Sequence, residues 1–252
     1  MESNRPIVLS IAGVDPSAGA GLLADIKTFE QHKVYGLGIS TAQTVQTENK
    51  FLSVRWEEEE GILKAIETML SHYKVRAIKI GIVENISRLE KIVFFIHQKN
   101  RAIKIIVDTV IKSSSGFNFW NGEMKEDVLE EILNKTFLIT PNYNEALQLG
   151  PAATNAKEAA EKLSAHCAVL LKGGHNNEEP GIDYLYMKDR IEKLEGSTNE
   201  LYAKHGSGCV LSAAITANLA LGVDLINSCK SAKQYIEKFL AGNKTLLGYH
   251  VS

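Results

Sequence analysis

The chain has 252 residues, 44% apolar and 23% charged, the balance of a globular protein with a sizeable core, and it reads as one domain over residues 1–252. A formal net charge of -2 with scattered lysines and arginines excludes nucleic acid and membrane surfaces as expected partners. Three widely spaced cysteines, Cys167, Cys209 and Cys229, without CxxC or Cys/His spacing, argue against a disulfide framework and a zinc site; with no leader-like or membrane-length apolar run, the expected compartment is the cytoplasm.

In chain order, the run Ile7-Val8-Leu9-Ser10-Ile11-Ala12 predicts a buried strand, followed by the glycine-rich loop Gly13 to Gly21. Leu22, Leu23, Ile26 and Phe29 then recur at helical spacing. Gly38 to Val45 and Phe51 to Trp56 read as two strands with no helix between them, a candidate lid over one side of the sheet. A helix through Ile62, Ile66, Met69 and Leu70 leads to the strand Ala77 to Ile80, and a helix through Ile86, Leu89, Ile92, Val93 and Ile96 leads to the strand Ile103 to Val107.

Beyond a Ser- and Asn-rich loop from Lys112 to Gly122 come strands at Phe137 to Ile139 and Ala168 to Leu171. A second loop, His175 to Gly181, precedes another strand pair, Ile182 to Met187 with Ile191 to Leu194. Last is a small-residue helix from Val210 to Leu221 with Gly222 as its C-terminal cap. Alternating strand and helix build right-handed βαβ crossovers, so the expected fold is α/β, a three-layer α/β/α sandwich with a mostly parallel central sheet and a small β lid.

Ligands of an open parallel sheet bind beyond the carboxyl ends of its strands. Those positions hold Asp15 within Gly13 to Gly21, then Gly81, Asp108, Asn142 and Lys172. A single polar residue there is as readily a solvated loop residue; the collection points to a cleft. Gly13 to Gly21 matches neither GxGxxG nor GxxxxGK[ST], so its glycines suit close backbone approach to a small ligand rather than a dinucleotide.

The strongest local signal is His205-Gly206-Ser207-Gly208-Cys209 at the start of the small-residue helix. Unpaired N–H groups and the positive dipole end there suit a phosphate or a developing anion. Cys209 sits where the dipole favours a thiolate, whereas Cys167 and Cys229 read as packing residues.

These residues resemble the ribokinase-like kinases of vitamin precursors, and within them the hydroxymethylpyrimidine and phosphomethylpyrimidine kinases of thiamin synthesis. The resemblance spans the chain and rests on Ala12 to Gly21, Ala24-Asp25-Ile26-Lys27-Thr28-Phe29, Lys79-Ile80-Gly81, Asp108-Thr109-Val110, Thr140 to Ala146, Leu171-Lys172-Gly173-Gly174-His175 and His205 to Cys209. It implies that Gly206, Ser207 and Gly208 form an anion hole with Cys209 as the base. It implies further that Lys172, Asn142, Glu145 and Asp108 serve the nucleotide phosphates, and that Asn142 and Glu145 hold Mg²⁺ through water. Gln46 would bond the aminopyrimidine, with Gly13, Ala20, Asp25, Ile82 and Val110 around the ring. ATP and Mg²⁺ are the implied cofactors, with K⁺ as a candidate monovalent ion, and a homodimer is the implied assembly.

Ser207 stands where the family usually has threonine, Ala18 where it has glycine, and Ile82 where methionine is commoner. Ser114 occupies the place of a family lysine, with Lys112 two residues earlier, which bears on the second of two phosphorylations. Two other functions fit the same residues. A pyridoxal kinase would phosphorylate another hydroxymethyl heteroaromatic ring, against which Gln46 argues. A pyrimidine sensor without catalysis would have had no use for Cys209, Asn142, Glu145 and Lys172 together.

Overall fold

The computed structural model describes residues 5–112, 116–120, 125–150, 152–175, 179–196 and 200–250. The elements run β1 (Ile7–Val14), α1 (Gly21–Gln31), β2 (Tyr35–Gln46), β3 (Phe51–Trp56), α2 (Glu59–His72), β4 (Val75–Ile80), α3 (Ile86–Lys99), β5 (Lys104–Val107), α4 (Glu126–Leu133), β6 (Leu138–Ile139), α5 (Tyr143–Leu149), α6 (Ala156–Leu163), β7 (Ala168–Leu171), β8 (Asp183–Met187), β9 (Arg190–Leu194), α7 (Ser207–Ala220) and α8 (Leu225–Ala241). One sheet joins the strands in the order β3-β2-β1-β4-β5-β6-β7-β8-β9. From β2 to β7 the neighbours are parallel, and β3, β8 and β9 are added by antiparallel pairing at the two edges.

Each parallel strand is apolar on both faces because helices cover both sides. In β5, Ile105 and Val107 join the core under α2 to α6 while Ile106 joins the core under α1, α7 and α8; in β7, Val169 and Leu171 divide from Leu170 in the same way. That alternation is the three-layer sandwich expected from the sequence. α7 is buried all round from Val210 to Ala220, so it reads as apolar without a polar stripe and is packed by α1 and α8 as well as by the sheet.

The strand pair taken as a lid is continuous with the sheet. β2 begins at Tyr35 and pairs with β1 as far as Gln43, then carries on past it to pair with β3. Beyond Gln43 it stays tied to β1, where Thr44 Oγ1 donates to the Val14 carbonyl at 2.9 Å. Of the two loops, residues 113–115, 121–122 and 176–178 lie outside the described residues, and with them the question of Ser114. Lys112 is exposed and bridges Asn118.

Candidate active site

The carboxyl ends of β1, β4, β5, β6 and β7 converge on the start of α7. Gly206 takes φ 75, a left-handed value suited to glycine, and α7 begins at the next residue without a side-chain cap. A Cβ on Gly206 would stand 2.1 Å from the Gly19 carbonyl oxygen, so the loop after β1 and the loop before α7 touch along their backbones. A Cβ on Gly208 would lie 3.4 Å from Lys172 Nζ and 4.0 Å from Asp108 Oδ2. The first N–H groups of α7 therefore adjoin a lysine ammonium.

Asp108 is the hub beneath them. Its Oδ1 accepts from Thr140 Oγ1 at 3.0 Å and from Lys172 Nζ at 3.1 Å, and its Oδ2 accepts from Ser212 Oγ on α7 at 3.1 Å. Burial pushes this carboxyl up, but Lys172, Lys79 and these hydrogen bonds outweigh it and hold the group below the ordinary carboxylate range. Expected among the phosphate ligands, Asp108 is 1% exposed with both oxygens engaged, so it orients Lys172 rather than facing the cleft. Lys172 is desolvated, yet Asp108 and Glu145 keep its ammonium above the ordinary lysine value.

Asn142 and Glu145 form a reciprocal capping box at α5: Asn142 Oδ1 accepts from the Glu145 N–H at 2.9 Å, and Glu145 Oε2 accepts from the Asn142 N–H at 2.8 Å. Oε2 lies 4.0 Å from Lys172 Nζ. Burial raises the Glu145 carboxyl, with Lys172 pulling against it. Asn142 bridges Lys172 across β6 and β7, so the four residues expected at the phosphates do come together. Among the described residues no group of three acidic, His or Cys side chains could hold a metal by itself. Of the residues here, Glu145 and Asn142 are the oxygen donors that would suit a hard cation such as Mg²⁺.

A second buried layer lies under Cys209. Lys79 Nζ donates to both oxygens of Asp25 at 2.7 and 2.8 Å, Asp25 Oδ2 also accepts from Ser10 Oγ at 2.6 Å, and neither member of the ion pair is exposed. Burial pushes the Asp25 carboxyl up against the pull of Lys79, while Asp25 holds the Lys79 ammonium well above its ordinary value. Asp25 was expected against the substrate ring; its carboxyl faces Lys79 and has no open surface, which makes it floor rather than wall.

Cys209 is partly buried. The dipole argument expects a favoured thiolate, and here the balance runs the other way. Burial pushes the thiol up to about 11, reinforced by Asp108 and Asp25, while Lys79 and the Gly21 N–H oppose it. Cys167 and Cys229 are packing residues as read, both buried and pushed up to about 12 by burial.

On the other side of the cleft, Gly13 and Ile82 are in contact, since a Cβ on Gly13 would meet Ile82 Cδ1 at 2.4 Å. Ile82 is itself fixed by its carbonyl, which accepts from Thr41 Oγ1 at 2.7 Å. Ala20 packs on Gly206, Val110 follows the Asp108 hub with its N–H on the Asp108 carbonyl at 2.8 Å, and Gln46 ends β2 opposite Phe51.

Lys79, Thr140, Ser212 and His205 had no role assigned from sequence. His205 Nε2 pairs with Asp15 Oδ2 at 2.8 Å, and Asp15 also accepts from the Ser17 and Ala20 N–H groups at 2.9 Å each. Burial pushes Asp15 up, but these bonds outweigh it and hold the carboxyl low. The signal for Lys79 lay in the sequence: a lysine inside Ala77-Ile78-Lys79-Ile80 has no place in a buried strand unless a carboxylate meets it.

A family model described as phosphomethylpyrimidine kinase matches residues 15–251. A protein named hydroxymethylpyrimidine/phosphomethylpyrimidine kinase from Rhizobium meliloti is 36% identical over 239 residues, covering 91% of this chain and 88% of its own length. One of the same name from Aquifex aeolicus is 33% identical over 257 residues, covering 97% of this chain and 98% of its own. Among solved structures, a Bacillus subtilis pyridoxal kinase in complex with ADP superposes with TM-score 0.83 at 27% identity, covering 98% and 97% of the two chains. The phosphomethylpyrimidine kinase of Clostridium difficile 630 superposes with TM-score 0.77 at 31% identity, covering 92% of this chain and 98% of its own.

Proposed function

The chain belongs to the phosphomethylpyrimidine kinase family, and from that premise we propose that it phosphorylates 4-amino-5-hydroxymethyl-2-methylpyrimidine and then the resulting monophosphate, with ATP as donor. The observation that carries the site is the meeting of the α7 N-terminus with Lys172 over the Asp108 hub. Phosphoryl transfer asks mainly for alignment and for neutralisation of spreading charge. The N–H groups after Gly206 supply one neutralising wall and Lys172, aimed by Asp108, the other. Mg²⁺, held through water by Asn142 and Glu145, would add positive charge on the phosphates.

Gln46 is the proposed hydrogen-bonding partner of the aminopyrimidine, with Gly13, Ile82, Ala20 and Val110 around the ring. That arrangement would set the hydroxymethyl group near Cys209. As the hydroxymethyl oxygen bonds to the γ-phosphorus of ATP, the bond from that phosphorus to the β,γ-bridging oxygen breaks and ADP leaves, while the hydroxyl proton passes to the Cys209 thiolate. Burial favours the thiol, so the Lys79 ammonium below is the group that makes the thiolate accessible.

Replacing Cys209 by Ala is expected to lower kcat by roughly 10²- to 10⁴-fold with nucleotide affinity kept, and replacing Lys172 by Ala to weaken nucleotide binding. Steady-state kinetics with calorimetry of ATP binding separates the two, and undiminished turnover in Cys209→Ala removes the base assignment. The likeness to the Bacillus subtilis pyridoxal kinase keeps pyridoxal as a second candidate acceptor. We propose further a cytoplasmic location from the cysteine usage, one domain over the whole chain from the element pattern, and a homodimer from the family resemblance; no described helix is long and apolar enough to cross a membrane.

A further inference from the structure

One buried ion pair stands outside the reaction centre yet touches the chain next to Lys172. Asp183 opens β8 and Lys233 lies on α8; their side chains are 8% and 9% exposed, and Lys233 Nζ donates to Asp183 Oδ2 at 2.8 Å. Asp183 Oδ1 accepts from the Gly173 N–H at 2.7 Å. Since the Lys172 N–H donates to the Pro141 carbonyl at 2.8 Å, the backbone of Lys172 is clamped on one side by the segment that follows β6 and on the other by Asp183.

The same pair holds the far end of the segment that follows. Lys233 Nζ also donates to the Gly181 carbonyl, and the Gly181 N–H donates to the Gly173 carbonyl at 3.2 Å. Gly173 passes so close to β8 that a Cβ would come 1.8 Å from the Ile182 carbonyl oxygen, so the clamp tolerates no side chain. Sheet pairing between β7 and β8 has already ended at Leu171 and Tyr184. Without Asp183 the Gly173 N–H would lack this acceptor. A buried ion pair is poor value as stability alone, because an apolar pair of similar volume commonly serves as well. What an apolar pair cannot do is accept a hydrogen bond from Gly173.

We propose that Asp183 and Lys233 are positioning residues for nucleotide binding, holding the Lys172–Gly173 peptide so that the Lys172 ammonium stays over Asp108 and beside Gly208. This rests on the reading of Lys172 as a phosphate-binding group. Two charge-free doubles test it in the full chain. Asp183→Asn/Lys233→Met keeps a carbonyl oxygen for the Gly173 N–H, and Asp183→Leu/Lys233→Met removes it. Nucleotide affinity is read by displacement of a fluorescent ATP analogue, and KM for the pyrimidine alcohol is measured alongside.

Loss of the acceptor is expected to weaken nucleotide binding by about tenfold or more, while the Asn/Met double stays within about threefold of the parent and neither moves KM for the alcohol by more than about twofold. A general loss of structure would move both substrates and would not be rescued by Asn. If the Leu/Met double fails to fold by circular dichroism, Asp183→Ala/Lys233→Met carries the same comparison without added bulk. Equal nucleotide affinity in the acceptor-bearing and acceptor-free doubles overturns the proposal. Lys172→Ala serves as the reference: if it leaves nucleotide affinity intact, the reading of the phosphate site falls as well, whereas a weakened Lys172→Ala beside an unaffected Leu/Met double sinks the positioning role alone.

Discussion

At Cys209 two influences compete. The start of α7 offers a positive dipole and the buried Lys79 ammonium a positive charge, yet burial and the carboxylates of Asp108 and Asp25 push the thiol up to about 11. A base that must be deprotonated from about 11 leaves a thiolate fraction that rises about tenfold per pH unit below that value. The expected outcome is that log kcat/KM climbs with pH between 7 and 10 and that Cys209→Ala loses the climb; a flat profile in the parent enzyme means the sulfur positions the hydroxyl without taking its proton. The sequence held a signal for the buried layer under Cys209 that the reading of single residues did not use. Ser10, Asp25 and Lys79 each interrupt an apolar run, and the structure joins all three. His205 and Ser212 could not be singled out, because their partners Asp15 and Asp108 lie 190 and 104 positions away.

Among elements, α7 depends on the backbone ahead of it. Gly206 at φ 75 packs on Gly19 and Ala20, so Gly206→Ala forces both loops apart. Because a displacement of about 1 Å at a reacting group can cost about 10²-fold in rate, activity is expected to fall by at least that order while far-UV circular dichroism keeps its shape; a Gly206→Ala enzyme within tenfold of the parent would contradict the close packing. The chain after α8 supports the same loop from outside, with the His205 N–H on the Leu246 carbonyl at 2.9 Å and His250 packed on Tyr235 and Phe239.

Burial, with Lys27 and His32 adding to it, lowers His250 from 6.5 to about 4. The unfolded chain thus binds this proton first, and the stability that comes from a neutral His250 is present above about pH 6.5 and is lost as the pH falls toward 4. His250→Phe keeps a ring there without the proton. Its loss of Tm between pH 7 and 4.5 is expected to be smaller than that of the parent, and equal losses would show that His250 is not part of the acid sensitivity. All nine strands, and the helices α1, α2, α3 and α7, were readable because apolar spacing sets them, whereas α4, α5, α6 and α8 were not placed from sequence. The start of β2 was not placed either, since Tyr35 to Gly38 carries little apolar alternation and is recruited by pairing with β1.

At the scale of the molecule, the parallel order from β2 to β7 brings the ends of β1, β4, β5, β6 and β7 to the α7 N-terminus, which is why residues from Gly13 to Cys209 lie together. The sandwich and the location of the cleft followed from strand and helix alternation and from polar residues at strand ends. What did not follow was depth: spacing along the chain cannot tell a residue facing the cleft from one beneath it, and Asp25 and Asp108 proved to be beneath. Fold alone leaves two vitamin precursors as acceptors, since both kinds of kinase superpose on the chain. Phosphorus NMR of the purified enzyme with ATP and an equimolar mixture of hydroxymethylpyrimidine and pyridoxal decides between them. The expected spectrum has the pyrimidine monophosphate appearing first and its pyrophosphate growing from it; pyridoxal phosphate as the main product, or no new phosphate ester on the pyrimidine, would contradict the proposed function.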